Sequence, residues 1–498
     1  MLSRILVAVV AVGAALVAGA PGAQAAFDAN HDERCEWATN VTLRGTTTQD
    51  VLHEALVNYS PRSLGTVPID GRGFGYKAPG CEAFKLPSEG GYRTIEYQPA
   101  TDDEAKRVVG AVTGPTAGLD DRPLVDERLG GAGIDQAPTA AEIANARAGR
   151  LTDDGGAPLT SDDTILHTIP LAQVAVAIAV ALPEGCMVAD ADRRLTRAQL
   201  EGAFAADPAH DQWKELFGAA ILETPNSPLD PGQCGELRFA RVGNKVTARG
   251  AADADGITLA LRHYLQGAAA ASGSGRDWRT PEQGGTLPLT RWPNESANPV
   301  LRAADFGSRA MGDAVAGPVA SDVGAIGFGA LNELRPAGPN ARIRSSEFDW
   351  WSDRTDQRTF FVRVQALDDD ELVSPAKDLV KIPAPSSPTG SIPPARGANC
   401  SASYTGVPAA TTDSWSGVAA DAASAGYPIC ALTYALVFQA ARRANLTQGV
   451  ARPTKDYLTW AVRDSPTSGQ AMMSTGNYSR LPKSISAIAL AGANALTF

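Results

Sequence analysis

Residues 169–182 read IPLAQVAVAIAVAL, apolar at nearly every position and rich in Val and Ile. An amphipathic helix would leave a polar stripe and a half-exposed strand would alternate, so a run with neither pattern reads as a strand buried on both faces. Such a strand belongs inside a layered α/β protein, where it can thread the interior between two lobes. The segments before it repeat one order. A β-type run over 40–43 ends in Gly45-Thr46-Thr47-Thr48-Gln49, after which Val51, Leu52, Ala55 and Leu56 recur at helical spacing. A second unit starts at Thr94-Ile95-Glu96-Tyr97, with Thr101 or Asp102 to cap a helix carrying Ala105, Val108 and Val109. A third passes through Gly131 to Asp135 and on to Thr139 and Glu142, which have the spacing of a capping box. Strand and helix alternating in this way are the signature of an α/β fold.

Downstream, Thr196 and Gln199 repeat the capping-box spacing ahead of Leu200, Ala203 and Phe204. A strand is expected over 246–249, a helix from Asp255-Gly256 bearing Leu261, Tyr264 and Leu265, and a tight strand in VGAIGFGAL at 323–331. Residues 383–412 are dense in Pro, Ser, Gly and Ala and read as a surface loop or linker without a packed core. Helices are expected over 433–443 and around 457–462.

The 498 residues allow several compact units. With 44 Lys+Arg against 55 Asp+Glu the formal charge is -11, so no basic field exists to hold a nucleic-acid backbone. The first 25 residues carry Arg4, an apolar stretch and the small-residue ending Ala23-Gln24-Ala25, the pattern of a secretory signal peptide rather than of an amino-terminal membrane anchor. No Cys stands at the expected cleavage point, so the expectation is a secreted extracellular or envelope protein without a lipid anchor. The six cysteines, Cys35, Cys81, Cys186, Cys234, Cys400 and Cys430, have no CxxC spacing and fit disulfides better than a zinc site. Sequence leaves the pairing open; joining each to its neighbour (Cys35 with Cys81, Cys186 with Cys234, Cys400 with Cys430) keeps every loop within one unit.

A nucleophilic-serine turn G-x-S-x-G, an HxxxH zinc pair and a nucleotide P-loop are all absent from the sequence, so no cofactor, metal or catalytic centre is expected. What remains is a set of strand-to-helix turns rich in hydroxyls and Gly. A helix start offers unsatisfied N–H groups and partial positive charge, and hydroxyls add neutral donors, so an acidic protein can hold an anion there without Lys.

These turns occur in an order that resembles the PstS-type phosphate-binding proteins, of the two-lobed type II periplasmic binding-protein fold with two hinge crossovers. The likeness spans most of 40–498 and rests on Gly45-Thr46-Thr47-Thr48-Gln49, GGAGIDQAPT (130–139), the 169–183 strand, LTRAQLEGAF (195–204) with Trp213, VTARGAADADGIT (246–258), and WPNESANPVLR (292–302) with VGAIGF. YPICALTY, TWAVRDSPTSGQ and NYSRLP close the series. The resemblance implies lobe one at 27–175 and 366–498, lobe two at 176–365, and ligand in the cleft between them. It implies a monomer that captures inorganic phosphate or a similar oxyanion for an ABC permease. Thr46, Thr47 and Thr48 of the first turn, Asp135 as the single ligand carboxylate, Arg249 as a two-pronged grip, and Gly256 and Thr258 at a helix start are the implied ligand set. A carboxylate beside an anion accepts a hydrogen bond from protonated phosphate and repels fully ionised sulfate. Two positions depart from the family. Asp255 replaces a Ser, and its carboxylate competes for the helix N–H groups, while Pro99-Ala100-Thr101-Asp102-Asp103 replaces a Gly-Ser-Gly turn and offers only the Thr101 hydroxyl. These departures leave a second reading open, an envelope interaction or structural protein that keeps the fold and has lost tight anion binding.

Overall fold

The computed structural model describes residues 41–46, 48–49, 52–53, 56, 95–112, 129–148, 164–205, 211–242, 256–278, 324–334, 359–367, 370–377, 397–421, 426–440, 448–466 and 468–497. Strands β1 (Val41–Thr46), β2 (Ile95–Ala100), β3 (Leu129–Ile134), β4 (Leu166–Ala181), β5 (Ala240–Val242), β6 (Ala325–Ala330) and β7 (Thr359–Phe361) precede a short hairpin, β8 (Tyr404–Thr405) and β9 (Ala419–Ala420), and a last long strand, β10 (Cys430–Phe438). Apart from the hairpin they form one eight-stranded sheet in the order β2-β1-β3-β10-β4-β6-β5, with β7 also paired to β4. The fold is mixed α/β.

β4 organises it. All 16 of its residues are buried, as the unbroken apolar run requires. Leu166 to Ala175 pair antiparallel with β10, and Val176 to Ala181 pair with β6. One strand therefore serves two halves of the sheet, changing partner between Ala175 and Val176. On the first side β1 lies parallel to both β2 and β3; on the second, β5 lies parallel to β6.

Local chemistry fixes the helices. α1 (Asp102–Val108) and α3 (Arg197–Phe204) start at reciprocal capping boxes, Thr101 with Glu104 and Thr196 with Gln199. α2 (Ala140–Ala148) follows the same exchange between Thr139 and Glu142. Each cap satisfies two N–H groups and contributes about 1 kcal/mol. α4 (Gly256–Ser272) buries Ile257, Leu261, Tyr264, Leu265, Ala268 and Ala269, an apolar stripe at helical period. α5 (Leu331–Leu334) follows β6 directly, and α6 (Gln448–Val462) and α7 (Lys483–Ala495) close the chain.

Disulfides join Cys186 to Cys234 and Cys400 to Cys430, as expected; Cys35 and Cys81 lie outside the described residues, as do the signal segment and the strand expected at 246–249. With loops of 48 and 30 residues, each bridge removes about 4 kcal/mol of chain entropy from the unfolded state. No described helix is long and apolar enough to cross a membrane.

Two expectations fail. The helix expected over 433–443 is strand β10 as far as Phe438. Thr433, Tyr434, Val437 and Phe438 are β-branched or aromatic, and the strand lies between β3 and β4 with every residue buried. A run buried on both faces carries no period that separates strand from helix, and its neighbours decide. The second concerns the expected unpacked loop at 383–412, whose described part, from Gly397, keeps exposed positions such as Ser401 and Ser403 but is anchored in the core at others. Ala398, Cys400, Ala402 and Thr411 are buried. The Thr411 carbonyl accepts from the Thr168 N–H at 2.7 Å and its hydroxyl meets His167 Nδ1 at 2.7 Å, binding the segment to the start of β4.

Candidate functional site

The three parallel strands β2, β1 and β3 end side by side, and ligands of α/β sheets gather at such carboxyl edges. Gly45 and Gly133 are register partners, and a Cβ on Gly45 would overlap the Gly133 carbonyl. That close approach sets Thr46 and Asp135 on adjacent strand ends.

Apart from one bond to a carboxylate, the first turn is held by neutral hydrogen bonds. Tyr97 Oη donates to the Thr46 carbonyl at 2.8 Å. The Thr48 carbonyl accepts from Asn332 Nδ2 of α5 at 3.0 Å and from Tyr478 Oη, and the Thr48 hydroxyl donates to Glu333 Oε1 at 3.2 Å. Gln49 Nε2 lies within reach of three acceptors on the neighbouring strands, the Ile134 carbonyl (3.1 Å), Thr433 Oγ1 (2.5 Å) and the Tyr434 carbonyl (2.7 Å). Its Oε1 can only accept, so His53 Nε2 carries the proton at 3.3 Å and His53 Nδ1 accepts from Tyr457 Oη at 2.6 Å. Burial drives the His53 pKa from 6.5 down to about 3, which keeps the ring neutral and this donor order fixed. Among the described residues the Thr46 hydroxyl, 1% exposed, has no hydrogen-bond partner.

The turn after β3 is held by charge. Of the two cap candidates, Thr101 takes the helix N–H groups of α1, which leaves Asp102 to reach across to β3. Asp102 Oδ1 accepts from the N–H of Asp135 at 2.7 Å and from that of Gln136 at 3.3 Å. Lys106 Nζ, buried, donates to Gln136 Oε1 and pairs with Glu142, both at 3.3 Å. Against this turn stands the amino-terminal end of α4, so close that a Cβ on Gly256 would overlap the Asp135 carbonyl. Asp135 is 4% exposed. It lines a crevice of about 40 Å³ together with Gly256, Tyr264, Tyr404, Trp415 and Tyr434. Burial and the neighbouring Asp135 charge push the Tyr434 phenol well above its ordinary range.

The structure thus brings Thr46, Asp135 and Gly256 to one edge, with Thr258 buried in the first turn of α4. Thr48 is beside them with its hydroxyl given to Glu333. Thr47, Arg249 and Asp255 lie outside the described residues. Gln49, Asp102 and Asn332 were not legible as site residues. Asp102 reads equally as a helix cap, and Gln49 and Asn332 act on partners hundreds of positions away.

Solved phosphate-binding proteins resemble this chain. A periplasmic phosphate-binding protein solved with phosphate (PfluDING) is 13% identical with a TM-score of 0.48, over 91% of this chain and 93% of that one. A human phosphate-binding apolipoprotein is 16% identical with a TM-score of 0.49 over the same shares, 91% and 93%. A phosphate-binding protein from Stenotrophomonas maltophilia is 15% identical with a TM-score of 0.45, again over 91% and 93%. No family model and no curated relative matches the chain. The ligands in those names belong to those proteins.

Proposed function

We propose that the chain is a secreted two-lobed solute-binding protein of the type II periplasmic binding-protein kind. Lobe one spans about 27–175 and 366–498 and lobe two about 176–365. Phosphate or a related oxyanion is captured in the cleft and passed to an ABC-type importer. The observation that carries the reading is the convergence of a buried carboxylate, Asp135, with the first turn of a 17-residue helix from beyond β4, at the carboxyl edge of three parallel strands. A helix start favours negative charge, and a buried acceptor beside it suits an anion that still bears a proton. Thr46, whose buried hydroxyl lacks a partner among the described residues, supplies a donor. Disulfides agree with an oxidising compartment.

Calorimetric titration of the mature protein tests this. Phosphate binding without sulfate binding is the expected result, and Asp135→Asn should narrow the preference. Silence with both anions would sink it in favour of the second reading, an envelope interaction protein on the same scaffold. That reading has its own support. Asp102 uses two N–H groups of the β3 turn, Thr101 caps its own helix and Thr48 serves Glu333, so several donors an anion would use are already engaged.

A further inference from the structure

The crevice beside Asp135 has walls that a bare inorganic anion does not use. They come from α4 (Ala260, Tyr264), from β8 and the chain leading into β9 (Tyr404, Trp415, Val418), and from β10 (Ala431). The polar tips of Tyr264, Tyr404 and Trp415 are tied off against other parts of the protein. Tyr264 Oη donates to the Gln365 carbonyl at 2.6 Å, Tyr404 Oη to Gln173 Oε1 at 3.1 Å, and Trp415 Nε1 to the Ala410 carbonyl at 3.2 Å. With those tips engaged, these three side chains offer mainly ring carbon, and Ala260, Val418 and Ala431 have purely hydrocarbon side chains; besides Asp135, Gln136, His263, Ser416 and Tyr434 form the polar remainder of the lining. A strongly hydrated ion gains nothing from such a surface, whereas a hydrocarbon group leaving water gains about 0.8 kcal/mol per CH₂, roughly fourfold in affinity. The wall is also held in place, because Cys430 lines the crevice and is bridged to Cys400 at the base of the hairpin segment. The volume of about 40 Å³ compares with roughly 10–15 Å³ for one water, so the extra group is short.

We infer that the solute is an organic phosphoryl compound, a phosphate monoester or phosphonate whose short hydrocarbon group lies against Ala260, Tyr264, Tyr404 and Trp415 while its phosphoryl head meets Asp135. This rests on the phosphate reading above and narrows it to a substrate class.

Calorimetric titration of the mature protein with inorganic phosphate, ethyl phosphate and ethylphosphonate, repeated on Ala260→Leu, is the test. Ala260 is half-buried on a helix that accepts Leu, so the variant fills the crevice without disturbing the turn at Asp135. The expected result is that at least one ethyl compound binds about tenfold more tightly than inorganic phosphate. In A260L that advantage disappears while phosphate affinity stays within about threefold. The better of the two ethyl ligands identifies the ester or the phosphonate. If inorganic phosphate binds as well as or better than both ethyl compounds, the organic-ligand inference is overturned and the phosphate reading stands. If the advantage persists in A260L, the hydrocarbon is not in this crevice and the inference fails on its geometry. If none of the three binds, the phosphate reading falls, and this inference with it.

Discussion

Two turns stand next to each other at the carboxyl edge of the sheet and are built from different physics. The turn after β1 is locked by neutral groups in series, Tyr457 to His53 to Gln49 to the carbonyls of β3 and β10, with Tyr97 on the Thr46 carbonyl. The turn after β3 is locked by charged ones, Asp102 on two N–H groups and Lys106 between Gln136 and Glu142. At the first turn the carboxylate in contact, Glu333, is on the Thr48 hydroxyl, outside that neutral series, while at the second a carboxylate sits directly on the turn's own N–H groups and sets the local field. The first turn keeps a buried hydroxyl, that of Thr46, with no hydrogen-bond partner among the described residues, while the second is pinned through its N–H groups by a carboxylate. The contrast is open to experiment at each turn.

The largest effect is expected at Gln49. Gln49→Leu removes the donor to Thr433 and Tyr434 and strands the His53 N–H in a fully buried site, so thermal or urea unfolding should show a loss of about 3 kcal/mol. A loss below about 1 kcal/mol would mean that the lattice is not what holds the turn. Asp102→Ala should cost about 2 kcal/mol, because two buried N–H groups lose a charged acceptor. Asp102→Asn keeps one acceptor oxygen and should recover part of that loss, and equal losses in the two variants would contradict the charged lock.

The neutral lattice carries a pH signature. The His53 pKa falls from 6.5 in the unfolded chain to about 3 in the fold, so between these values the unfolded chain binds the extra proton. Its contribution is complete above pH 6.5 and is lost as pH falls toward 3, with a slope of about 1.4 kcal/mol per pH unit. His167, also lowered mainly by burial, acts in the same direction. The difference between the stability profiles of the wild type and His53→Phe isolates His53, and parallel profiles would show that the ring does not titrate as placed. The smallest effect has the opposite sign. Thr46→Val replaces a buried hydroxyl that has no partner among the described residues by a methyl group and should leave the ligand-free protein unchanged or about 1 kcal/mol more stable, while phosphate affinity drops several-fold. Lower stability with unchanged affinity would place that hydroxyl in the architecture and not in the site.

Much of the scaffold was legible because its signals are local. The buried run of β4, the capping boxes at Thr101, Thr139 and Thr196, and the stripe of α4 each depend on residues a few positions apart. The site was legible only in part. Asp135 and Gly256 carry turn chemistry that can be read in place. The commitments of Thr48 to Glu333 and of Asp102 to the β3 turn depend on which chain ends lie side by side. The tail of the Pro-rich segment gave no sign of packing, since Ala398, Cys400 and Ala402 become interior only once the bridge to Cys430 seats them.

The sequence by itself determined that this is an α/β chain around one doubly buried strand, with hydroxyl-rich turns and paired cysteines, because burial period, caps and composition are properties of short stretches. Tertiary structure alone decided that residues 433–438 are strand, that a carboxylate serves the β3 turn, and that a hairpin walls the crevice. Each of these depends on contacts between residues far apart in the chain, where the free energy belongs to the pair and neither partner announces it alone.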